Sequence, residues 1–114
     1  MLFDFLKNYS KQFDIPDDIS SQVSHRVRYH VVFYGRVQGV GFRYTSQHLA
    51  DSLGITGWVR NEDDGTVSCE LQGSPEAIDQ FLIRIGDQRW IDISDTDKTS
   101  MDTDPDERNF KVLY

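Results

Sequence analysis

The sequence predicts an α+β sandwich, with two helices laid on one face of a mainly antiparallel sheet. Three observations lead there. Val- and aromatic-rich runs alternate with a two-residue period, and two other segments carry apolar residues at helical spacing. Their order is strand–helix–strand–strand–helix–strand, and neither helix can bury its apolar stripe alone. The chain has 114 residues. A domain of this size buries somewhat under about 70% of the surface its unfolded chain exposes, enough for a single core.

The elements follow in order. Residues 1–27 read as an extension outside the main domain, 28–114. In the extension Leu2, Phe5, Leu6, Tyr9 and Phe13 fall roughly on one helical face, and Ile15-Pro16-Asp17-Asp18 breaks the pattern. A short amphipathic helix and a flexible tail both fit. The first strand runs from Tyr29 to Tyr34, with Tyr29, Val31 and Phe33 on one face. A glycine-rich loop, Gly35 to Gly41, leads to a helix from Phe42. Its apolar side is Phe42, Thr45, Leu49 and Leu53, and Gly54 stops it.

A short strand, Gly57 to Arg60, is joined to another, Thr66 to Gln72, through the turn Asn61-Glu62-Asp63-Asp64-Gly65, where Asp-Gly is a hairpin signal. Val67, Cys69 and Leu71 point to the core, while Thr66, Ser68, Glu70 and Gln72 point outward. Cys69 is thus a small core hydrophobe rather than a nucleophile. Ser74 caps the second helix, Pro75 suits its first position and Glu76 complements its positive end. Ile78, Phe81, Leu82 and Ile85 follow at helical spacing, and Gly86 ends it. Trp90 to Asp95 reads as a strand with Ile91 and Ile93 inward. The acidic segment to Glu107 reads as loop, and Phe110 to Tyr114 as a last short strand. This β-α-β-β-α-β order with an extra short edge strand is the ferredoxin-like arrangement.

Charge narrows the function classes. The net charge is −7, yet no Asp or Glu occurs from Ile19 to Ala50, a stretch that holds Arg26, Arg28, Arg36 and Arg43. An acidic protein with one acid-free segment is a poor general nucleic-acid binder but suits a small anion bound at one place. RNA binding on the sheet would need stacking aromatics on the central strands, and the outward positions of the third strand are polar. One cysteine permits no internal disulfide, and no run approaches the ~20 apolar residues of a membrane span. No secretory signal is apparent, and a lone thiol is at home in the cytoplasm.

The loop Gly35-Arg36-Val37-Gln38-Gly39-Val40-Gly41 sits between a strand and a helix start. There it can offer unpaired main-chain N–H groups to an anion. Arg43, in the first turn of the helix, has a planar fork of donors suited to phosphate. Taken alone, the loop could equally be an ordinary connection and Arg43 a solvent-facing residue. It is no Walker loop, because Phe42-Arg43 follows Gly41 in place of Lys-Ser or Lys-Thr. It is no dinucleotide fingerprint either, because Tyr44 stands where a third glycine is needed. Asn61 alone reads as a turn residue. His25, His30, His48 and Cys69 lack metal-ligand spacing, and the acidic run Asp102 to Glu107 lacks the pattern of a calcium loop.

Two longer strings change the weight of these residues. Gly35 to Arg43, GRVQGVGFR, and Gly57 to Gly73, GWVRNEDDGTVSCELQG, resemble the two signatures of the acylphosphatase family, in the family's order. The resemblance covers about residues 28 to 114. It implies a metal-free, cofactor-free hydrolase that splits carboxyl–phosphate mixed anhydrides into carboxylate and inorganic phosphate. It implies that Arg43 binds the phosphate and Asn61 orients the attacking water. The main chain of Arg36, Val37, Gln38, Gly39, Val40 and Gly41 would form the phosphate cradle. A monomer acting on a small molecule is expected, with no nucleic-acid or membrane partner. The connection Gly86-Asp87-Gln88-Arg89-Trp90 departs from the Gly/Pro-containing link common in the family. An alternative is a binding module of the same fold that holds an anion and turns over little.

Overall fold

The computed structural model describes residues 25–114. The helix or tail expected of the extension therefore lies outside the described residues up to position 24, and the chain is already in a strand at Val27. The elements are β1 (Val27–Arg36), α1 (Phe42–Leu53), β2 (Thr56–Asn61), β3 (Val67–Gly73), α2 (Pro75–Gly86), β4 (Asp92–Met101) and β5 (Phe110–Leu113). They form one five-stranded sheet in the order β4-β1-β3-β2-β5. All neighbours are antiparallel except β2 and β5, which are parallel. Both helices pack on one face. The short edge strand expected beyond the βαββαβ unit is β5.

The two-residue alternation decides which side chains meet the helices. Val31 and Phe33 of β1, Val59 of β2, and Val67, Cys69 and Leu71 of β3 are all buried against Phe42, Leu49 and Ala50 of α1 and Ile78, Phe81 and Ile85 of α2. Each large side chain so buried contributes about 1.5–3 kcal/mol relative to exposure. Burial pushes the Cys69 thiol far above its ordinary pKa, so it is a neutral core group. Both helices end as their chemistry dictates. Gly54 takes the left-handed conformation after α1, and the Ser74 hydroxyl accepts from the Ala77 N–H at 3.1 Å at the start of α2.

Three expectations are corrected. The acidic segment after Asp95 is not loop from its start, because β4 continues to Met101. β1 is ten residues long, and β4 pairs with its outer edge from Arg36 back to Arg28. Nearly every β4 side chain is exposed, so their polarity does not oppose pairing that satisfies main-chain groups. Asn61 is the last residue of β2, opposite Val67, rather than part of the turn. The turn closes behind it through Glu62 N–H to Thr66 O at 2.9 Å.

The third correction concerns the face away from the helices. Thr66, Ser68 and Gln72, expected at the surface, are buried. β4 and β5 lie on opposite edges of the sheet, so the 102–109 connection must cross from one to the other. Gln72 Nε2 donates to Asp104 O at 2.8 Å, and Asp104 N–H donates to Gln72 Oε1 at 2.7 Å. Arg28, 5% exposed, donates to Glu107 at 2.7 Å and Glu70 at 2.9 Å. His30 Nδ1 lies 3.1 Å from the other Glu70 oxygen, and the His30 ring stands edge-on to Trp58. A buried guanidinium is tolerated because two carboxylates neutralise it.

Burial alone would raise the Glu70 pKa, but the hydrogen bonds and charges of Arg28 and His30 outweigh it and hold the carboxyl below its ordinary value. A depressed folded pKa adds stability that is complete above the unfolded value and is lost as pH falls through the folded one. Glu70→Gln should therefore lower stability at pH 7 by about 1–3 kcal/mol. It should also flatten the decline in urea midpoint between about pH 5 and pH 3. A parallel decline in both proteins would show that Glu70 carries none of it.

Candidate active site

The strand-to-helix loop is held at both ends and left open in the middle. Gly35 has φ +120° at a bulge in the β1–β4 pairing, and a Cβ there would overlap the Asp92 carbonyl oxygen. Only glycine permits that approach. Val37 is buried to 1% exposure, and the Phe33 and Phe42 rings meet at 5.0 Å beneath the loop. Between these anchors Gly39 and Gly41 have φ of +72° and +80°, which curls the main chain. Gly41 is also the N-cap of α1. It offers no side-chain acceptor, and the first turn contains no acid.

The consequence is electrostatic. The five successive main-chain N–H groups of Val37 to Gly41 donate to no main-chain or side-chain acceptor among the described residues. The first turn of α1 adds the unpaired donors that every helix start carries. Donors left free in a row next to a helix N-terminus suit an anion.

One side chain joins this loop to the hairpin. Gln38 Nε2 donates to Glu62 O at 2.7 Å and to Thr66 O at 2.9 Å. These carbonyls flank the turn after Asn61, so the strut sets the loop beside the end of β2. The turn itself is stiffened by Asp64, whose Oδ1 accepts from the Thr66 hydroxyl at 2.6 Å and the Thr66 N–H at 3.0 Å. Those two bonds, hydroxyl first, hold the Asp64 carboxyl below its ordinary pKa.

Arg43 and Asn61 approach the same end of the sheet. The half-buried Arg43 guanidinium lies 4.9 Å over the Tyr114 ring. Arg60 of β2 is paired with Leu113 of β5, and Asn61 and Tyr114 are the next residues of those two chains. The Tyr44 hydroxyl holds the Tyr114 phenol above its ordinary pKa. Asn61 is partly buried, and its Oδ1 is one of two buried side-chain atoms without a hydrogen-bond partner among the described residues, with Ser46 Oγ. An unpaired buried acceptor costs about 1–3 kcal/mol, which is unusual for a residue that only shapes a turn.

The structure thus gathers the loop from Arg36 to Gly41, Arg43 and Asn61 around one end of the sheet. Arg28, from the same acid-free stretch, is taken up by Glu70 and Glu107. Arg26, just before β1, donates to Thr56 Oγ1 at 3.2 Å, at the other end of the sheet from the loop. No local pattern marks the Gln38 side chain as a strut. The alternation Phe110, Val112, Tyr114 does hint that Tyr114 lies on the helix side. No group of three His, Cys, Asp or Glu side chains that could hold a metal occurs among the described residues. No helix among them is long and apolar enough to cross a membrane.

Comparison with known proteins gives the family. The family model described as acylphosphatase matches residues 29–112. An acylphosphatase of Geobacillus thermodenitrificans is 46% identical over 88 residues, which span 76% of this chain and 94% of that protein. One of Clostridium acetobutylicum is 43% identical over 89 residues, 76% of this chain and 97% of that one. The crystal structure of acylphosphatase from Bacillus subtilis superposes with a TM-score of 0.72 at 32% identity, covering 77% of this chain and 99% of that one. The sandwich, its uncapped glycine loop and these relatives lead to one conclusion: the chain belongs to the acylphosphatase family.

Proposed function

We propose that this acylphosphatase hydrolyses acyl phosphates by in-line attack of a water positioned by Asn61 on a phosphoryl group held by Arg43 and the Arg36–Gly41 loop. The observation that carries this reading is the row of unpaired amides at Val37 to Gly41, tied by Gln38 to the hairpin that ends in Asn61. The amides and the guanidinium suit three negatively polarised phosphoryl oxygens, and they hold the phosphoryl group in line while its charge redistributes in the transition state.

The chemistry asks little more of the protein. The water oxygen bonds to phosphorus as the bond from phosphorus to the acyl oxygen breaks, and that oxygen leaves with the electron pair. The products are a carboxylate and dihydrogen phosphate, the two water protons remaining on the phosphate. A carboxylate is stable as an anion near neutral pH, so no general acid is required. The amide of Asn61 has both an acceptor and donors, which orients water without acting as a strong base. The cation–π contact with Tyr114 biases Arg43 toward this end of the sheet. No metal or cofactor enters the reaction, and the lone thiol suits a cytoplasmic setting.

Arg43→Gln should fold normally, raise the KM for benzoyl phosphate and lower kcat/KM by at least about a hundredfold, as loss of a charged phosphate contact does. Kinetics equal to the wild type would remove the arginine from the reaction. Asn61→Ala should abolish turnover, yet inorganic phosphate should still compete for the site with an inhibition constant within about threefold of wild type. Phosphate affinity lost together with turnover would contradict the division of labour. Prolonged dialysis against EDTA should leave kcat unchanged, and a loss restored by a divalent cation would overturn the metal-free mechanism.

A further inference from the structure

An open cleft of about 750 Å³ adjoins the loop on its other flank. Arg36, Gly39 and Val40 form one wall, and Arg89 and Trp90 of the α2–β4 connection with Asp92 at the start of β4 form the other. We propose that this cleft receives the acyl half of the substrate, and that Arg36 and Arg89 favour acyl groups bearing a second anionic group. The proposal rests on the acyl phosphate reading and adds a substrate preference to it.

Position is the first argument. In-line displacement puts the entering water and the leaving carboxylate on opposite sides of phosphorus. Gln38 ties one flank of the loop to the hairpin that carries Asn61. In the strand order β4-β1-β3-β2 the cleft lies on the β4 side of β1 and the hairpin on its β3 side, so the cleft is on the flank where the leaving group must go. Its volume is within the usual range for small-molecule sites.

Charge and shape give the preference. The cleft has two arginines against one aspartate, and neither arginine forms a salt bridge with a described residue. Trp90 is 74% exposed, with the Arg89 guanidinium 5.8 Å from its ring centre. An indole left in water beside a free guanidinium provides a flat apolar wall with a charged rim. The wall is fixed. Ile91 is buried next to Trp90, its N–H donates to Gln88 O at 3.2 Å, and Gly35 packs against the Asp92 main chain.

The test compares benzoyl phosphate with 4-carboxybenzoyl phosphate, which differ only by a distal carboxylate. The wild type should favour the carboxylated substrate in kcat/KM by about fivefold, the scale of a partly exposed charge pair. Arg89→Gln should lower the ratio to about twofold or less, the remainder being that of Arg36, and Arg89→Lys should keep more of it. The corresponding non-hydrolysable acylphosphonates, titrated calorimetrically, should show the same preference and the same loss. A wild type without preference, or a ratio unchanged by Arg89→Gln in both measurements, would overturn the assignment. Failure to hydrolyse either acyl phosphate would strike at the acylphosphatase reading instead, and the phosphonate titrations would still decide the cleft.

Discussion

Five successive main-chain amides have to stay free of protein partners and yet be held still. The packing between Phe33 and Phe42 meets both demands. Buried Val37 and the Phe33–Phe42 contact fix the ends of the loop from beneath, using apolar side chains that do not compete for its donors. Gly39 and Gly41 supply the positive φ angles that curl the loop, and Gly41 caps α1 without an acceptor of its own. An ordinary N-cap, a Ser or Asp in extended conformation, would strengthen the helix and occupy the donors that an anion needs; the left-handed Gly41 leaves them open. The helix start is thus left less stable than it could be, as is common where a binding site requires it.

The rest of the site depends on that loop being placed against the sheet. Gln38 reaches two hairpin carbonyls and turns a local curl into a fixed neighbour of Asn61. On the other flank, the close approach of Gly35 to β4 carries the Arg89–Trp90 segment alongside the same loop. One element therefore has the hairpin on one side and the α2–β4 connection on the other. That arrangement matches a reaction in which solvent enters from one side and a carboxylate departs from the other.

The opposite face of the sheet serves the fold rather than the chemistry. Arg28, Glu70, Glu107 and the Gln72–Asp104 pair fasten the connection that runs from β4 to β5. β5 in turn pairs with β2 and places Tyr114 under Arg43. A polar network far from the loop thus helps to position the guanidinium, through a strand only four residues long.

Local information was enough for much of this. Periodicity placed both helices, four of the five strands and most of the core, because burial on one face imposes a period that short-range sequence records. The two signature strings named Arg43, Asn61 and the loop as candidates, because glycines that curl a chain and a guanidinium in the first turn of the next helix are adjacent in sequence. The full length of β4 was not legible. Its residues are exposed and polar, and what makes them a strand is the free edge of β1, more than fifty residues earlier. The burial of Thr66, Ser68 and Gln72, the strut from Gln38 and the stacking of Arg43 on Tyr114 were likewise decided only by the tertiary structure. Each joins residues at least two dozen positions apart, and such pairings arise from strand order and chain crossing rather than from any local pattern.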